Sequence, residues 1–182
     1  MGLLLAFSPF LAFLAGERLL GLVPALCAGC AVALALVARG RLRGAREAKV
    51  LELGTALLFG ALAACAAFMT DVAWSVGLVR LVVDAGLMLL VLAGIALRRP
   101  FTLDLARARV DAQRAATPEF MRLNQQISAA WACAFGVLAL ADLVLILQPA
   151  WPLAIPIVIG AAGLVAAFEF TRWWPARVTG RG

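Results

Sequence analysis

Long apolar runs alternate along the chain with short clusters of arginine, proline and acidic residues. Five runs are long enough to cross a bilayer as helices, at about 19–38, 50–69, 74–97, 127–147 and 150–171. A spanning helix needs ~20 apolar residues to cover the ~30 Å hydrocarbon core, and each run meets that length. A sixth run, "LLLAFSPFLAFLAG" at 3–16, contains Pro9 and stops at Glu17-Arg18. At ~1.5 Å per residue it covers roughly 20 Å, too little for an ordinary crossing. The pattern predicts a re-entrant or interfacial helix there, or a sixth, tilted span in a thinned bilayer. No Lys or Arg precedes the run, which argues against a signal peptide. The predicted fold is all-α, a single polytopic membrane domain over 1–182.

Between the third and fourth spans the text changes character. "ALRRPFTLDLARARV" at 96–110 leaves the membrane at Arg98-Arg99-Pro100, because proline disfavours helix for the residue before it. Thr102 is placed to cap a new helix over about 102–115. On that helix Leu103, Ala106 and Val110 share one stripe, while Asp104, Arg107, Asp111 and Arg114 fall elsewhere at spacings of three and four. An amphipathic helix flanked by arginines and tethered between spans lies on the headgroup surface, where it binds anionic lipid or offers a docking face at Arg107, Asp111 and Arg114. "TPEF" at 117–120 restarts the membrane-bound chain, with Thr117 as cap and Pro118 in the first turn.

Composition agrees with the pattern: of 182 residues, 65% are hydrophobic and 14% charged, where a soluble domain is about half apolar and a quarter charged. The net charge of +6 forms no single patch, so a nucleic-acid partner is not expected. Fourteen of the sixteen basic residues fall in the segments 38–49 and 98–122 and in the C-terminal tail, while the connections "TDVA" and "QPAWP" hold none. The positive-inside rule then puts both basic loops and the C-terminus in the cytoplasm. Trp74 and Trp151 mark the outer boundary, and Trp131, Trp173 and Trp174 the inner one.

The candidate chemistry is sparse. Histidine and tyrosine are absent, no glycine-rich phosphate loop follows a strand, and no acidic cluster has metal-ligand spacing. The expectation is a protein without enzymatic activity, cofactor or metal. "CAGC" at 27–30 has redox spacing but lies inside an apolar run, where packing of small residues is the better reading. Stripes at Ala25-Gly29-Ala33, Ala56-Gly60-Ala64 and Gly163-Ala167 suit close helix packing or self-association into a homo-oligomer.

Arg80, Asp84 and Asp142 are the sharpest features, because all three lie well inside predicted spans. Each costs ~2.5–3.5 kcal/mol at the bilayer centre, so they should be paired. Arg80 and Asp84 are one helical turn apart. Arg80 and Asp142 lie at similar depths from the outer ends of their spans, and the two pairings compete. One arginine and two aspartates leave a surplus acid of the kind a proton or solute path would use. Glu52 and Glu169 lie near the cytoplasmic ends of their spans, within reach of the headgroups.

Several pieces resemble the bacterial septation protein A family. These are "FSPFLAFLAGERL", the basic loop ending "REAKV" before "LELGTALLFG", "ALRRPFTLDLAR", and "FMRLNQQISAAWACAFGVLALADLVL". The resemblance covers most of residues 5–147 in order and spacing. It implies a small protein of the bacterial inner membrane, linked to septation and envelope synthesis and acting through other membrane proteins, with no catalytic residues to carry over. Arg80, Asp84 and Asp142 depart from that pattern. The contrasting expectations are a small transporter or channel with a polar path around those three residues, and a membrane-embedded lipid-modifying enzyme.

Overall fold

A computed structural model describes residues 5–42, 50–69, 74–107, 110–152 and 154–178. Arg43, Arg46, Lys49, Arg109 and Arg181, the connection "TDVA" at 70–73, and the side chains of Asp104 and Arg114 lie outside the described residues. The described chain is helical: α1 Ser8–Leu20, α2 Leu22–Leu42, α3 Val50–Phe68, α4 Val76–Ala96, α5 Thr102–Arg107, α6 Ala112–Ala115, α7 Pro118–Leu147 and α8 Ala154–Val178. Five of these, α2, α3, α4, α7 and α8, are long and apolar enough to cross a membrane. The protein is a polytopic helical membrane protein. It divides within α4, between Val79 and Arg80, into two compact units.

In the first unit α1 folds back along α2 through a single residue, Gly21, at φ 85°. That left-handed backbone is open to glycine at little cost, and it permits a corner between two helices without a loop. The helices approach closely because they meet at small residues: a Cβ on Gly16 would lie 3.2 Å from the Ala25 Cα. Ala25, Gly29 and Ala33 are all buried, so the α2 stripe is used inside the chain. Phe59 of α3 fills the space over Gly29, and its ring meets Phe10 and Phe13 at 5.2 and 5.6 Å between centroids. The second stripe holds only in part, since Ala56 is buried and Ala64 exposed. Cys30 donates its S–H to the Ala56 carbonyl at 3.5 Å and faces α3, a packing role that leaves Cys27 exposed on its own.

The first apolar helix therefore differs from the 3–16 expectation. It continues through Glu17-Arg18 to Leu20, and α2 begins at Leu22. Arg18 lies in the last turn of α1, where a cation complements the partial negative charge of a helix end and so does not stop it.

In the second unit α7 and α8 pack against one another, with Gly160 against Leu138 and Gly163 against Val137 and Ala134. α7 has 30 residues and is ~45 Å long, more than the hydrocarbon core requires. Its start matches the expectation: the Thr117 side chain accepts from the Phe120 N–H at 3.3 Å, with Pro118 in the first turn.

The end of α4 works differently from the proline-based expectation. Arg98 adopts φ 55°, its N–H bonds the Ile95 carbonyl, and the Arg99 N–H reaches back to the Gly94 carbonyl at 2.7 Å. This pair of bonds closes the helix before Pro100 is reached.

Candidate functional site

The charged residues of α4 and α7 come together. Arg80 lies one turn into α4 and Asp142 just over one turn before the end of α7. The helices run antiparallel here, as a second contact two turns further along α4 shows: a Cβ on Gly136 would lie 3.2 Å from the Met88 Sδ. The Arg80 Nη2 is 3.5 Å from the Asp142 Oδ1, with the Arg80 side chain 31% exposed and that of Asp142 5% exposed. The competition between the two pairings thus resolves toward the interhelical bridge. Asp84, one turn along α4, carries its carboxyl within electrostatic reach of both Arg80 and Asp142.

The three residues hold one positive and two potentially negative groups. The second oxygen of Asp142, Oδ2, is fully buried and has no hydrogen-bond partner. A buried carboxylate oxygen without a partner costs more than an ordinary polar atom, because the pair must compensate for water lost on both sides. The neighbouring hollow between α7 and α8, about 240 Å³ and lined among others by Leu140, Ala141, Trp151 and Ile155, is apolar and offers Asp142 no polar contact.

A second polar arrangement lies at the other end of α7. The Thr102 hydroxyl donates to the Asn124 carbonyl at 3.1 Å and sits 3.1 Å from the Ser128 hydroxyl. Asn124 in turn donates its side-chain N–H to the Phe120 carbonyl at 2.8 Å. Thr102, Leu103, Asn124 and Ser128 are buried. Thr102 was expected to cap its own helix; it docks that helix onto α7, since the Asn124 carbonyl keeps a lone pair for a second donor. The spacing of Asn124 and Ser128, four residues apart on one face, was the available signal for this contact.

The amphipathic segment is two short helices, not one helix over 102–115. α5 ends at Arg107, and Val110 and Asp111 are not helical before α6 starts. Among its described side chains Thr102 and Leu103 are buried and Arg107 is exposed, and a helix of six residues is marginal without such packing. Arg107 and Asp111 are exposed, and they do not form the continuous helical face expected with Arg114.

The three tryptophans expected at the inner boundary divide. Trp131 is buried, at 5% exposure, and donates to the Thr171 hydroxyl at 2.9 Å, which itself donates to the Ala167 carbonyl. It joins α7 to α8 with its ring turned into the helix contact. Trp174 stacks on Phe170 and donates to the Gln126 side chain, and Arg177 lies 4.9 Å over the Trp173 ring. Glu169 pairs with Arg172 at 3.3 Å, both exposed.

Among the described residues no group of three or more His, Cys, Asp or Glu is placed to hold a metal ion. No family model, curated protein or solved structure matches the chain.

Proposed function

We propose that this chain is a non-catalytic protein of the bacterial inner membrane that supports envelope maintenance or septation through contacts with other membrane proteins, in the manner of the septation protein A family it resembles. The supporting observation is the docking of Thr102 and Leu103 onto α7. It anchors the start of the segment carrying Arg107 and Asp111 beside a long apolar helix, which suits a surface offered to a partner. The C-terminus and this segment face the cytoplasm in this reading, on the anionic leaflet.

The test is complementation of a deletion strain, scored on cell length and envelope integrity at matched membrane abundance. Reversing the exposed charges, Arg107→Glu with Asp111→Lys, is expected to abolish rescue, while Asp84→Asn and Asp142→Asn rescue fully. The second reading, a small transporter or channel using Arg80, Asp84 and Asp142, is favoured by the unpartnered Asp142 Oδ2. It predicts the opposite pattern: rescue by the charge reversal, and loss of rescue by the neutralised acids despite normal abundance.

A further inference from the structure

We propose that the cluster of Arg80, Asp84 and Asp142 is an intramembrane binding site for a single proton. The inference starts from charge. Arg80 balances one carboxylate through its 3.5 Å contact with the Asp142 Oδ1, and the second carboxyl of the cluster has no cation of its own. Among the described residues of this unit, the long apolar helices offer no other charge to balance it. α4 carries only Arg80 and Asp84, and the part of α7 inside the membrane carries only Asp142. The stretch of α8 beginning at Ala154, whose Ile155, Pro156 and Ile159 share a hollow with Ala141 of α7, holds no titratable side chain up to Glu169.

The second observation is the Asp142 Oδ2 atom, buried and without a hydrogen-bond partner in a residue only 3% exposed. A proton on either carboxyl satisfies both requirements together: it brings the cluster to zero net charge, and it supplies the donor that an acceptor-only pair of carboxylates lacks. A metal cation would need a cage of several oxygens. Here only carboxyl oxygens are on offer, one of them already facing Arg80, and the surrounding α4 and α7 carbonyls are engaged in helix bonds. The proton is held whether the protein is a scaffold or a transporter, so the site stands independently of either functional reading.

Two measurements on the full chain in lipid nanodiscs test it. Infrared difference spectra between acid and alkaline pH should show a protonated-carboxyl C=O band equivalent to one group per chain, lost in the Asp84→Asn, Asp142→Asn double variant. Dicyclohexylcarbodiimide, an apolar reagent for protonated acids, should add once per chain at Asp84 or Asp142, mapped by peptide mass spectrometry. Its rate should fall at least tenfold toward alkaline pH and be the same in sodium as in choline chloride. Arg80→Gln should raise the count to two protons, because both carboxyls then need neutralising. Absence of the infrared band in the wild-type chain overturns the proposal, as does protection by sodium or a wild-type count of two; the wild-type spectrum needs no variant to fold.

Discussion

Arg98 stands at a backbone position that most side chains avoid. Its φ of 55° is the left-handed conformation in which a helix-ending glycine is usual, and an ordinary L-residue there costs ~1 kcal/mol or more. Arg98→Gly should therefore raise the thermal midpoint in detergent, by an amount corresponding to about 1 kcal/mol. Gly94→Ala should lower it, since the new Cβ would meet the Arg99 carbonyl oxygen at 3.0 Å. The place where α4 ends was readable from "RRP", but the device was not, because the sequence carries arginine where the left-handed cap is normally written as glycine. Asn124 and Ser128 were similarly visible as a polar face, whereas their partner Thr102 is 22 and 26 residues away and no local spacing links them.

At the level of elements, the first hairpin depends on absent side chains. A Cβ on Gly29 would lie only 3.1 Å from the Phe59 ring, inside ordinary van der Waals contact, and the ring is itself packed against Phe10 and Phe13. Gly29→Val should destabilise the protein by about 1–3 kcal/mol through overpacking. Gly163→Ala should be nearly neutral by the same thermal measurement, because its nearest neighbours stand at 3.8–4.0 Å. The small-residue stripe on α2 was legible, and its partners were not: the same letters would serve a contact with another chain. The sequence pattern ends α1 too early, because a Glu-Arg pair looks like a terminus in an apolar run. Inside a helical corner, its arginine favours the helix end and the apolar face continues past it.

For the molecule as a whole, the distribution of arginines predicts one orientation. In a background without native cysteines, a cysteine at exposed Gln148 should react with a membrane-impermeant maleimide added to intact spheroplasts. One at Arg177 should react only after permeabilisation. Labelling of position 177 in intact cells would reverse the assignment of sides. The count of crossing helices was legible because length and hydropathy decide it. The meeting of Arg80 with Asp142 was legible as far as matching depth goes; choosing between it and Asp84 required knowing which faces of α4 and α7 are turned together.

α7 is one uninterrupted helix from Pro118 to Leu147, and it carries both polar arrangements: the Thr102 docking point at Asn124 and Ser128, and Asp142 at the far end. About four to five turns of continuous rod separate them. The two ends therefore share one set of rigid-body coordinates. A roll of α7 about its axis that loosened Thr102 would also swing Asp142 relative to Arg80, so mechanical stress on the surface segment and the electrical state of the buried cluster are registered by the same lever.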